Sequence, residues 1–80
     1  MYSEEDVKKH PLWLHRKTGG LYFVVGSAMI ATNGLDNGKE VIVYYALKSG
    51  ENQRRLAVRD RNEFFDGRFV PCEANGKPVE

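Results

Sequence analysis

Val41-Ile42-Val43-Tyr44-Tyr45-Ala46-Leu47, framed by Glu40 and Lys48, is a seven-residue run of β-branched, aromatic and aliphatic side chains. It is too short for a buried helix and carries no helical spacing, so it reads as a strand. Both of its faces are apolar, which places it inside a sheet rather than at an edge. Leu21-Tyr22-Phe23-Val24-Val25 has the same character, and Lys17-Thr18-Gly19-Gly20 before it is a turn,. Gly26 interrupts this second strand and predicts a bulge or bend, with Ser27-Ala28-Met29-Ile30-Ala31 continuing beyond it,. Two Asn-Gly pairs, Asn33-Gly34 and Asn37-Gly38, fill the loop between the two strands,.

Downstream, Ser49-Gly50-Glu51-Asn52 is a turn, and the segment from Arg54 to Arg59 alternates with a period of two. Its pattern is read with Leu56 and Val58 inward and Arg55, Ala57 and Arg59 toward solvent. Asp60 is placed to cap a short helical turn at Arg61-Asn62-Glu63-Phe64-Phe65,. Asp66-Gly67 then turns the chain into a last short strand, Arg68-Phe69-Val70-Pro71-Cys72, limited by its proline,. Upstream, Ser3 caps a short helix with Glu4-Glu5-Asp6 in its first turn and Lys8-Lys9-His10 in its last, an order that complements the helix dipole,. Pro11 ends it.

Four or five short strands with glycine-rich turns predict a mainly β fold, a small antiparallel barrel with a short N-terminal helix. Residues 1–11 form the arm or helix, residues 12–72 the barrel domain, and residues 73–80 a loose polar tail. The expected core is drawn from Trp13, Leu21, Phe23, Val25, Val41, Val43, Tyr45, Leu47, Leu56, Val58, Phe64 and Val70. The chain has 80 residues, enough for one such domain and too few for a multidomain enzyme,. No apolar run reaches the length of a transmembrane helix, and the acidic opening is not a secretory signal, so a cytoplasmic location is expected,. The single cysteine, Cys72, excludes an internal disulfide,.

His15-Arg16-Lys17-Thr18-Gly19-Gly20-Leu21-Tyr22-Phe23-Val24-Val25-Gly26-Ser27-Ala28 resembles the opening motif of the DUF1653 family of small bacterial and phage proteins. In that motif a His, a Lys-Gly turn and a Tyr-bearing strand lead into a Gly-x-Ala bend. The strand at residues 41–47 is similar to the family's Val-Val-Tyr strand. Leu56-Ala57-Val58-Arg59 with Glu63-Phe64-Phe65 is similar to its Trp-Val-Arg-Pro segment and closing Phe. Ala57 stands where the family usually has Trp, and Asp60 where it usually has Pro. The resemblance covers roughly residues 13 to 70. It implies an SH3-like β-barrel and no established biochemical activity.

The candidate chemistry is sparse. His10 and His15 flank Pro11 and share no helical face, and with one thiol there is no ligand spacing for a metal, so no metal and no cofactor are expected,. A Cys72–His15–Arg59 site for a small ligand or minor enzyme activity is one alternative; nothing flanking Cys72 activates its thiol. Lys17-Thr18-Gly19-Gly20 lacks the pattern of a phosphate loop and leads into a strand,. The basic residues say more. Lys8, Lys9, His10, His15, Arg16 and Lys17 form one group, and Arg54, Arg55, Arg59 and Arg61 another. With Tyr22 or Tyr44 exposed nearby, the second group would make the cation-plus-aromatic surface that small barrels use for single-stranded nucleic acid. The net charge of +1 argues against a dedicated nucleic-acid domain, and Glu4, Glu5, Asp6, Asp60 and Glu63 are available to neutralise both groups,. Arg59 either pairs with Glu63 or Glu40 or offers its planar fork to an anion. The expected function is a non-catalytic binding module that engages a protein or nucleic acid through His15, Lys17, Tyr22, Tyr44, Arg55 and Arg59, without membrane contact. A phage or prophage protein that blocks a host factor by docking is the second alternative.

Overall fold

A computed structural model describes residues 2–47 and 55–79. Along the chain follow α1 (Glu4–Lys9), β1 (Leu12–His15), β2 (Leu21–Met29), β3 (Glu40–Ala46), β4 (Ala57–Asp60), α2 (Arg61–Phe64) and β5 (Phe69–Pro71). The strands form one sheet in the order β4-β3-β2-β1-β5, and every neighbouring pair is antiparallel. The fold is mainly β, as expected, with the central place taken by β2 and β3. The turn expected at residues 49–52 and the side chain of Arg54 lie outside the described residues.

The sheet departs from the expected barrel in one respect: it is open. Among the described residues no ladder joins β4 to β5. These two strands have four and three residues, and α2 stands between them in the chain. Phe64 and Phe65, at the end of that helical turn, are buried and supply the side-chain volume that strand pairing would otherwise enclose. β1 is a strand that sequence periodicity did not mark. Its four residues follow Pro11 directly, yet it pairs with β2 through Trp13↔Tyr22 and with β5 through His15↔Phe69.

Gly26 does mark a bulge. The register of β2 against β3 shifts between Val24, opposite Tyr44, and Gly26, opposite Val43, leaving Val25 as the extra residue,. The strand bends there and continues to Met29.

The core is built around rings. Trp13, Val24, Ile42, Tyr44, Phe64, Phe65 and Phe69 form one buried cluster, against which Tyr2, Val7 and Tyr22 pack. Phe64 stacks on Phe69 with centroids 4.4 Å apart, while Trp13 and Tyr44 approach Phe64 at 5.3 and 5.6 Å. Four expected core residues, Trp13, Val41, Phe64 and Val70, are buried. Phe23, Val25, Leu47, Leu56 and Val58 are instead exposed, and Leu21, Val43 and Tyr45 are half-buried. The cause is strand parity. Because β3 is apolar on both faces, its sequence does not say which set points inward. The ladder sets Ile42 opposite Arg59, Val43 opposite Val58 and Tyr44 opposite Ala57. With Ile42 and Tyr44 inward, Val58 must point outward, and β4 is turned over relative to the sequence expectation.

α1 begins as expected after Ser3, whose backbone N–H donates to Asp6 Oδ2 at 2.9 Å. It is anchored at both ends. The carbonyl of His10 accepts from Trp13 Nε1 at 2.6 Å, and Glu4 holds the Arg61 guanidinium, Nη2 to Oε1 being 2.7 Å. Asp60 caps α2, its Oδ1 accepting from Asn62 N at 2.9 Å and Glu63 N at 3.2 Å. The C-terminal segment, expected to be loose, turns back instead: Cys72 bridges to Pro78, and Val79 N donates to Pro71 O at 2.9 Å. None of the described helices is long and apolar enough to cross a membrane.

Candidate functional site

Antiparallel pairing carries five chain segments to the same end of the sheet. The last residue of β1, the first of β2, the last of β3 and the first residues of β4 and β5 meet there, as the pairs Leu14↔Leu21, Tyr22↔Ala46, Tyr44↔Ala57 and His15↔Phe69 require. Four of the six candidate site residues belong to these strands, and Lys17 and Arg55 lie two residues beyond the ends of β1 and β4. Phe69 is their hub. His15 meets its ring edge-on at 4.8 Å, Tyr22 at 5.6 Å and Tyr44 at 5.8 Å, and the Arg59 guanidinium lies 5.3 Å from its centroid.

The six residues do not contribute alike. Tyr44 is buried and forms part of the core, so Tyr45 is the outward tyrosine of the pair. The Tyr44 hydroxyl accepts from Arg59 Nε at 3.4 Å, and Arg59 Nη1 reaches Glu63 Oε1 at 2.7 Å. Glu63 is one of the two carboxylates expected for Arg59. The Tyr44 hydroxyl foremost, then Glu63, raises the Arg59 pKa above its ordinary value against the opposing effect of burial. The guanidinium is thus charged and satisfied on the inner side of β4, where an unpaired cation would be costly. Arg59 is a structural cation that orients Tyr44 and Phe69.

Arg61 is consumed in the same way. It binds Glu4 and lies 3.5 Å from Glu40, and these carboxylates, Glu4 first, raise its pKa. Lys8 pairs with Glu5 at 3.6 Å on α1. The first basic group is therefore split: Lys8, Lys9 and His10 precede β1, and His15, Arg16 and Lys17 lie at its far end, His10 and His15 being up to about 16 Å apart at the rise of an extended chain,.

The remaining cations frame two hollows. One, of ≈ 430 Å³, is lined by His15, Arg16, Lys17 and Arg68. Arg16 Nε donates to Gly67 O at 3.0 Å, and Arg68 is shared between Asp66 and Glu63, each at 3.1 Å. The other, of ≈ 320 Å³, is lined by Tyr22, Tyr44, Ala46, Arg55, Leu56 and Ala57. Among the described residues neither Lys17 nor Arg55 has a carboxylate partner. The turn that presents Lys17 depends on Gly19, at φ 76°, whose N–H donates to His15 O at 2.8 Å,.

Cys72 lies elsewhere. Its amide bonds to Leu12 O, at the opposite end of β1 from His15, so Cys72, His15 and Arg59 are not brought together. Its side chain is buried, and burial raises the thiol pKa, which disfavours the nucleophilic thiolate,. Among the described residues no three metal-ligating side chains gather.

Sequence reasoning missed Phe69 and Arg68. Their one signal is an aromatic and a cation directly after the Asp66-Gly67 turn, and only pairing with His15 shows that they reach this end. Comparison with known families, curated proteins and solved structures finds no match for the chain.

Proposed function

We propose that the protein is a non-catalytic binding module of the cytoplasm that docks an acidic protein segment against the basic end of its sheet. The observation that carries this reading is that Lys17 and Arg55, without carboxylate partners among the described residues, line two hollows at one end of the sheet, with His15 and Arg16 in the first and Tyr22 in the second. Such a surface offers separated cations to an extended anionic chain and a shallow apolar hollow to one of its side chains. A single-stranded nucleic acid would use the same cations but also needs open aromatic faces on which bases stack. Here the rings of Tyr22, Tyr44 and Phe69 meet one another edge-on, and Tyr44 is buried. That favours protein over nucleic acid. The resemblance to the DUF1653 family is part of the same proposal and bears on the fold alone.

The test is titration with an Asp/Glu-rich peptide and with single-stranded and duplex oligonucleotides, each at low and moderate salt. The expected result is salt-sensitive peptide binding. It weakens about tenfold when Lys17→Ala and Arg55→Ala are combined, since each exposed ionic contact contributes up to about 1 kcal/mol. Tighter binding of the single strand would reassign the surface to nucleic acid. No salt-dependent binding of any probe would remove the basic end as a docking surface.

A further inference from the structure

Beside the basic end, and sharing Leu56 with its second hollow, the sheet carries a run of exposed apolar side chains. On the face of the sheet away from the ring cluster, Phe23, Val25, Leu47, Leu56 and Val58 are 36, 56, 41, 62 and 57% exposed. They are contiguous. Phe23 stacks on Tyr45, with centroids 5.4 Å apart and planes at 25°. Val43 lies between Gly26 and Val58 in the ladders, and Leu56 leads into β4 beside Ala57. A hollow of ≈ 400 Å³ extends this surface past Val25 to Val7 and Pro11.

We infer that this outer face of β2, β3 and β4 is the interface for a second copy of the chain. Two arguments select that occupant. The first is area. The five side chains leave on the order of 500 Å² of apolar surface uncovered, at the upper range of what a monomer tolerates. A stable pair buries about 800 Å² per partner, a little over half of it apolar, so the patch with a polar rim matches one protomer's share. The second is charge. In a two-fold pair the same patch meets itself, and any cation or anion near the axis meets its own copy. None of the five residues, nor Val43 or Tyr45 among them, is charged; Glu4 and Lys8, which line the hollow beyond Val25, are opposite in sign and already paired with Arg61 and Glu5. The nearest ions toward the β3–β4 end, Lys39 and Asp60, neutralise each other at 3.8 Å. A face specified for a charged partner would carry the complementary charge, as the basic end does. Two such sheets pack face to face at about 10 Å, bringing the Phe23–Tyr45 pairs and the β4 valines into contact.

The experiment is sedimentation equilibrium of the full chain from micromolar to near-millimolar concentration, with Val25→Asp and Val58→Asp as interface variants. Circular dichroism and Trp13 fluorescence check that each variant is folded. The expected result is a concentration-dependent mass of twice one chain for the wild type, and one chain for both folded variants. Lys17→Ala, at the basic end, should leave the dimer intact. Wild-type protein that remains a single chain throughout overturns the inference, as does a dimer that survives both substitutions. Because neither valine lines the hollows of the basic end, the peptide titration reports on that surface separately.

Discussion

Ile42→Asp and Leu56→Asp make the same chemical change, from an aliphatic side chain to a carboxylate, at two strand positions whose outcomes should differ widely. Ile42 is 1% exposed and sits in the ring cluster; Leu56 is 62% exposed. Burying an aliphatic side chain of this size contributes about 1.5–3 kcal/mol. At Ile42 that whole contribution is lost. The new carboxylate adds a penalty of several kcal/mol, because buried anions require partners: the ring cluster offers none, and Arg59, the cross-strand neighbour, is already engaged by Tyr44 and Glu63,. The sum reaches the total stability of a domain this size, about 4–12 kcal/mol. At Leu56 only the covered fraction counts, roughly 0.6–1.1 kcal/mol, and the carboxylate stays hydrated. The assay is urea unfolding at low micromolar concentration, where association does not contribute, followed through the single tryptophan, Trp13, which is fully buried. Ile42→Asp should show Trp13 emission of the unfolded chain without denaturant. Leu56→Asp should unfold cooperatively at a slightly lower midpoint with an unchanged slope. If Leu56→Asp were the more damaging, β4 would have to be turned over, with Leu56 and Val58 in the core, and the parity argument would fail.

Acid should release α1 before the rest of the fold. The Arg61 hydrogen bonds, outweighing burial, hold the Glu4 carboxyl below its usual value of 4.5. A group with a lowered folded pKa contributes stability above its unfolded value and loses it as pH falls through the folded one. Trp13 fluorescence, sensitive to the Tyr2 contact at 5.5 Å, should therefore change below pH 4.5 in the wild type. The change should be absent in Glu4→Gln, and an identical acid transition in both proteins would deny Glu4 this role. The buried Cys72 thiol, its pKa raised by burial, should alkylate far more slowly than a free cysteine. Its rate should rise with denaturant in step with unfolding, and fast modification of the native protein would mean that the turned-back C-terminal segment opens locally,.

The local features with chemical punctuation were legible in the sequence. Ser3 and Asp60 mark helix starts because their side-chain and backbone groups satisfy open helical termini, and Gly26 marks the bulge in β2. The end-on gathering of site residues was legible only in part. His15, Lys17, Tyr22 and Arg55 do share one end, but Tyr44 and Arg59 serve the interior, and Phe69, on which four of the six candidate residues converge, lies 54 residues from His15 in sequence and one ladder step away in space. Strand β1 was invisible because four residues after a proline carry too little period to register.

What the sequence determined by itself is the set of elements. The runs at residues 21–25 and 41–47 are committed to strands by their branched and aromatic side chains, whatever lies next to them. What only the tertiary structure decided is which side of each strand became the inside. A strand that is apolar on both faces has two equivalent orientations until something large covers one of them. Here Trp13, Phe64, Phe65 and Phe69, brought from three separate segments, cover the side of Ile42 and Tyr44. The ladder then turned β4 with β3, drawing Arg59 inward to Tyr44 and Glu63 and leaving Leu56 and Val58 on the surface. One step in register exchanges the two faces of a strand, so long-range ring packing, and no local preference, separates the core from the exposed apolar face.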